Sequence, residues 1–182
     1  MLKALIISTA LLASAPLAMA GSNDTNSAEA LVSTAANDIA QSERSHIADT
    51  VLEHIDTRAI ARFTLGRHGR SLTATDKARF ADAFESFLRR QIEANAHQFS
   101  GVEVSVVDTQ VRNARDNIVT TEVRRSDGAI KVRWRVIERQ GQWSVVDLEV
   151  AGIWLAIEQR AQVAAILGRP GADIEDVIAQ FG

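Results

Sequence analysis

Residues 101–152 read GVEVSVVDTQVRNARDNIVTTEVRRSDGAIKVRWRVIERQGQWSVVDLEVAG. Apolar side chains recur here at every second position, the period of a half-buried strand. Val102, Val104 and Val106 alternate with polar residues. Two further runs, 118–125 and 130–137, are joined by Asp127-Gly128, a two-residue hairpin signal. That turn sets Val123 opposite Val132, Thr121 opposite Trp134 and Val119 opposite Val136 on one face, with Glu122 opposite Arg133 on the other. The next turn, around Gly141, permits two registers. A two-residue loop sets Trp134 against Asp147. A three-residue loop sets Trp134 against Leu148, Val136 against Val146 and Val132 against Val150, and brings Arg135 to Asp147 and Arg133 to Glu149. A one-residue slip carries every side chain to the wrong face, so the three-residue loop is expected. The segment thus reads as a four-stranded antiparallel meander, apolar on one face and charged on the other.

On either side the period becomes helical. Residues 21–26 form a polar lead without periodicity, read as disordered. Leu31, Val32, Ala35, Ala36 and Ile39 mark a helix reaching about Gln41, opened by Asn26 and Glu29 as a capping box. A second helix covers about 44–55, with Ile47, Val51 and Ile55 on one stripe. Asp56 caps a third, which carries Ala59, Ile60 and Phe63 and stops at Gly66. Thr73, with Asp76 three residues on, caps a long helix ending near His97. Its stripe is Phe80, Phe84, Phe87, Leu88 and Ile92. Beyond Gly152, residues 153–167 are helical up to Gly168 and Pro170, and Asp173 caps a short closing helix. Helices, then strands, then helices predict an α+β fold with helices on one face of the sheet.

Composition narrows the chemistry. The chain has 182 residues and a formal net charge of −3, which argues against a strongly basic nucleic-acid binder. It has no cysteine, which excludes disulfides, thiolate metal sites and Cys nucleophiles. The hydrophobic fraction of 46 % is raised by residues 1–20, where 15 positions are apolar and Lys3 is the only charge. A positive start, an apolar run and Ala18-Met19-Ala20 read as a cleaved secretory leader ending before Gly21. Residues 27–182 form one domain.

No catalytic constellation stands out. His46, His54, His68 and His97 lie in none of the metal-binding spacings, and the nucleophile-elbow, Walker and dinucleotide motifs are absent. Residues 65–70, Leu-Gly-Arg-His-Gly-Arg, admit two readings: a phosphate cradle, or a helix C-cap whose arginines complement the helix dipole. Asp147 and Glu149 share a strand face and read as cross-strand ion-pair partners of Arg135 and Arg133. Arg124 and Arg125 join them on a solvated outer face. The apolar side gathers Val104, Val106, Val119, Val123, Trp134, Val136, Val146, Leu148 and Val150 from the sheet. From the helices come Phe63, Phe80, Phe84, Leu88, Ile92, Ile157, Val163 and Ile166. Periodicity gives the same pattern for a filled core and for a cavity.

Three segments resemble the MlaC family of periplasmic phospholipid-binding proteins, also called the toluene-tolerance family. The first is Ile55-Asp56, residues 59–62, Leu65-Gly66-Arg67, Leu72-Thr73 and Arg79-Phe80. The second is Trp143, Val146-Asp147, Glu149 and Gly152. The third is Gln159-Arg160, Ile166, Gly171, Ile174, Val177 and Phe181. Together they span about 27–182 in the family's order. The chain departs from the family at Gly152-Ile153-Trp154-Leu155, where members commonly carry Gly-Val-Ser-Leu, and at His68-Gly69, where they carry aromatics.

The resemblance implies an NTF2-like fold enclosing an apolar cavity for acyl chains, with the headgroup left in water. It implies lipid contact by Phe63, Phe80, Phe84, Leu88, Ile92, Val104, Val119, Val123, Trp134, Val136, Val146, Leu148, Val150, Trp154 and Ile157, and headgroup contact by Arg67 and Arg70. The implied role is a periplasmic phospholipid carrier, with no catalytic residue, metal or cofactor. It would shuttle between an inner-membrane MCE-domain ABC transporter and an outer-membrane lipoprotein–porin complex, maintaining outer-membrane lipid asymmetry. Burial of each CH₂ is worth about 0.8 kcal/mol, so two acyl chains represent ~20 kcal/mol that such a carrier must match. The competing expectation is an NTF2-like isomerase or dehydratase, which would set a carboxylate or histidine inside the apolar pocket.

Overall fold

The computed structural model describes residues 22–182 apart from Ser100, with side chains described from Ser27 onward. The leader expected over 1–20 lies outside the described residues. Helix α1 spans Ser22–Gln41, α2 Ile47–His54, α3 Thr57–Leu65 and α4 Ala74–Ala94. Strands β1 to β5 follow as Glu103–Asn113, Asp116–Arg125, Gly128–Arg139, Gln142–Val150 and Ile153–Trp154. Helices α5, Leu155–Leu167, and α6, Ile174–Phe181, close the chain.

The caps behave as their chemistry requires. Asp56 accepts from the Ala59 N–H at 2.9 Å, and Gly66 ends α3 at φ 52°. Thr73 Oγ1 accepts from the Asp76 N–H, and Asp173 with Asp176 forms a capping box on α6. Helix α1 starts at Ser22, so residues 22–26 are helical and not the disordered lead expected. Helix α4 stops at Ala94, where Asn95 caps it and a 3-10 turn begins at Ala96.

The sheet is antiparallel throughout, in the order β1-β2-β3-β4-β5. It has five strands where four were expected, the fifth being the two residues Ile153–Trp154 on the far edge of β4. The expected β2–β3 register is corrected by two residues: Val123 faces Ile130, Thr121 faces Val132, and Glu122 faces Lys131. The loop is Ser126-Asp127, with Arg125 donating twice to Asp127 across it. Gly128, at φ 141°, opens the next strand and is not part of the loop. A shift of two preserves every face.

Both registers weighed for the β3–β4 turn occur. Gln140 and Gly141, at φ 54° and 78°, make a two-residue loop with Val136 opposite Val145. Farther along, Arg135 faces Asp147, Trp134 faces Leu148 and Val132 faces Val150, the three-residue alignment. A bulge at Val146 reconciles them. It makes Val145 the fully buried residue opposite Val136 in place of Val146.

Two cores result. One packs Ala28, Val32, Ala35, Ala36 and Ile39 of α1, with Ile47 and Val51 of α2, against Val119, Trp134, Val136 and Val145 of the sheet. The other consists of helices alone: Ile60, Ala61 and Leu65 of α3, Phe80 and Phe84 of α4, Ala156 and Val163 of α5, and Ile174, Val177 and Phe181 of α6. Ile55 packs against both, and the Asp56 N–H donates to the Val145 carbonyl, sewing the α2–α3 junction to the edge of β4.

Candidate functional site

The face of the sheet turned toward α1 divides along its strands. At the end near the β1–β2 and β3–β4 turns it is roofed: Val119, Val136 and Val145 are fully buried, and Trp134 donates its Nε1–H to Thr121 Oγ1 at 2.9 Å. Toward the β2–β3 turn the roof thins. Val104, Val123, Val132, Leu148 and Val150 are only half-buried, Ile130 is 39 % exposed and Ile153 54 %. Register joins these residues into one surface: Val104 faces Val123, Val123 faces Ile130, Val132 faces Val150, and Val150 faces Ile153. Ile92 and Phe99, leading into β1, are half-buried against the same core. A contiguous, partly bare apolar face of this kind marks a binding surface. Arg125, two residues beyond Val123, ends this face at the β2–β3 turn, where Asp127 pairs with it; Glu122, Lys131, Arg133 and Glu149 alternate to the other side.

The side chains named from sequence do not form one group. Val104, Val119, Val123, Trp134, Val136, Leu148 and Val150 lie on this inner face, with Ile92 beside it. Phe80 and Phe84 are fully buried in the helical core, where their rings stack at 5.8 Å and meet Phe181 at 5.8 and 5.7 Å. Phe63 and Leu88 pack on that helical core too. Ile157 is 54 % exposed on α5. Trp154 pairs with Glu149 on the outer face, its ring 5.4 Å from the Arg133 guanidinium carbon. Sequence reasoning missed Ile130, Ile153 and Phe99. The missing signal for Ile130 was the two-residue shift, which moves it opposite Val123.

On the outer face Arg133 meets Glu149 at 2.5 Å, as expected. Arg135 instead binds Asp116, which also receives Arg112. Asp147 is 6 % exposed, and one of its oxygens accepts the N–H groups of Leu148 and Ala156, both at 2.8 Å. It therefore pins the start of α5 to β4. Burial raises its pKa above the ordinary carboxylate value, against the opposing pull of those two donors and of Arg135.

Residues 65–70 serve first as a helix stop. Gly66 lies at φ 52°, ψ −131°, and a Cβ there would come within 2.9 Å of Arg160 Nε. That guanidinium lies over the Phe63 ring, 5.0 Å from its centre. Arg67 and Arg70 are exposed, and neither makes an ion pair among the described residues.

A cleft of about 660 Å³ opens at the roofed end, between α1 and the two turns. Its walls include Leu31, Thr34, His54, Arg115, Glu138 and Trp143. None of the residues expected to hold lipid lines it. His54 pairs with Asp38 at 2.9 Å, and Arg115 with Glu138 at 3.3 Å. No cluster able to hold a metal ion occurs among the described residues.

One antiparallel sheet, helices on one face and an apolar surface only partly roofed define a class of α+β domain that leaves part of its inner face bare. Within that class the chain belongs to the MlaC protein family, whose pattern matches residues 25–181. A solved structure with the same fold is the phospholipid-binding protein from Ralstonia solanacearum in complex with a phospholipid. The TM-score is 0.74 at 19 % identity, covering 85 % of this chain and 94 % of that one. At that identity the likeness is one of fold. No curated protein matches the sequence.

Proposed function

We propose that this protein is a periplasmic phospholipid carrier that holds acyl chains on the half-roofed inner face of its sheet. The observation that carries the reading is that bare face: seven aliphatic side chains in register, with Arg125 at its edge already paired to Asp127. Its size suits the ligand. Residues 128–132 of β3 span about 13 Å at 3.3 Å per residue, a little under half of a ~30 Å hydrocarbon core, whose half is the depth of one leaflet. Family membership and the phospholipid in the Ralstonia relative speak for the same ligand. The headgroup would remain in water, with Arg67 and Arg70 as the cations assigned to its phosphate.

No helix among the described residues is long and apolar enough to cross a membrane. The leader read from residues 1–20 supports export. The partners we assign are an inner-membrane MCE-domain ABC transporter and an outer-membrane lipoprotein–porin complex. Docking there would open the roof, since the chain carries no nucleotide motif of its own.

An isomerase or dehydratase of the same fold would need an acid or base on the inner face. The two buried carboxylates among the described residues, Asp116 and Asp147, lie on the other face, the first paired with Arg135 and Arg112 and the second occupied by two N–H donors. Lipid extraction of the purified protein tests the proposal. Co-purifying phospholipid, lost on Ile130→Glu, supports it; lipid-free protein that takes up none from detergent solution overturns it.

A further inference from the structure

Six large apolar side chains are exposed among the described residues, and three of them, Ile153, Leu155 and Ile157, fall within five consecutive positions. They form the corner where β5 turns into α5. The corner is rigidly held. Ala151 and Gly152 reverse the chain at φ 52° and 83°, Asp147 accepts the Ala156 N–H, and Trp154 is held from behind by Arg133. A non-glycine residue in the left-handed region is strained, and such strain is kept where a projection must be held. The corner also adjoins the bare inner face, since Ile153 faces Val150 across the last ladder.

Cations flank it. Arg160 lies one turn beyond Ile157, over Phe63 and against Gly66, and Arg67 and Arg70 follow that glycine. None of the three makes an ion pair among the described residues. Of the other arginines, Arg79, Arg89, Arg112, Arg115, Arg124, Arg125, Arg133, Arg135 and Arg139 are paired, while Arg44, Arg58, Arg62, Arg90 and Arg169 also make no ion pair among the described residues. The single carboxylate of α5, Glu158, lies one turn beyond Leu155 and is bonded by Gln162.

We propose that the Ile153–Leu155–Ile157 corner docks directly on an anionic lipid bilayer, with Arg160, Arg67 and Arg70 meeting headgroup phosphates. Aliphatic side chains at the tip and unpaired arginines behind them are the two attractions that hold a protein at a bilayer surface. The inference rests on the carrier reading: the corner would lead acyl chains from the bilayer past Ile153 onto Val150 and Val132.

Flotation with phosphatidylglycerol-containing vesicles tests it, using the full mature chain and no other protein. Wild type is expected to float. Leu155→Ser with Ile157→Ser should weaken binding at least tenfold with an unchanged thermal unfolding curve. Val107→Ser with Val111→Ser, equally exposed on β1, should leave it unchanged. Arg67→Gln and Arg70→Gln should each cost roughly fivefold. Wild type that binds lipid but stays off the vesicles overturns the inference and leaves the carrier reading intact, the corner then meeting a protein partner. A corner variant that floats as well as wild type overturns it equally.

Discussion

Asp147 carries two backbone N–H groups on one oxygen, and its burial makes that charge costly. Because its pKa in the folded state lies above the unfolded value, the folded protein holds the proton more tightly. For this group alone, stability falls as pH rises through the window between those two values. Asp147→Asn keeps an acceptor for both donors and removes the charge. Its stability gain over wild type should therefore be larger at pH 7 than at pH 4, as read by urea unfolding. Asp147→Ala leaves two buried N–H groups unpaired and should lose about 1–3 kcal/mol. Ala151 offers the opposite case. It sits at φ 52° with its Cβ disfavoured, so Ala151→Gly should stabilise the fold by about 0.5–1 kcal/mol, the release of left-handed strain exceeding the added chain entropy. Unchanged or lower stability would mean the turn is not strained.

At the scale of elements, what could be read from sequence followed periodicity and stopped where periodicity is silent. Period 2 gives each strand its faces, so Val119, Trp134 and Val136 are correctly placed inward. It does not distinguish registers two residues apart, and so Val123 meets Ile130 in place of Val132. At the β3–β4 turn each alternative was right over half the strand, because one extra residue at Val146 lets both hold. The caps at Asp56, Thr73 and Asp173 were legible because an Asp or Thr side chain bonds N–H groups close by in sequence, whereas the box read at Asn26 and Glu29 falls inside α1. What a helical stripe faces was not. Phe80 and Phe84 carry the apolar signature of a pocket wall, yet α4 turns them into the helical core against Phe181. This separates two predictions. Phe84→Ala should cost about 3–5 kcal/mol of stability by leaving a cavity, with bound lipid per folded molecule unchanged. Ile130→Glu, at a site already 39 % exposed, should barely shift the unfolding midpoint and should abolish lipid binding.

The whole molecule is a sheet with two different neighbours. Helices α1 and α2 roof one end of its inner face, while α3 to α6 build their own core beside β4 and β5. That division leaves the β2–β3 end bare and apolar while the outer face carries its charges in pairs. An ordinary share of apolar residues suffices for such a surface because those residues converge on one face. Native mass spectrometry of the purified mature protein tests this most directly. Wild type and Phe84→Ala are expected to show a mass excess of one or more phospholipids, and Ile130→Glu none. Wild type at its bare mass even after phospholipid is offered, or an Ile130→Glu protein that still carries lipid, would contradict it.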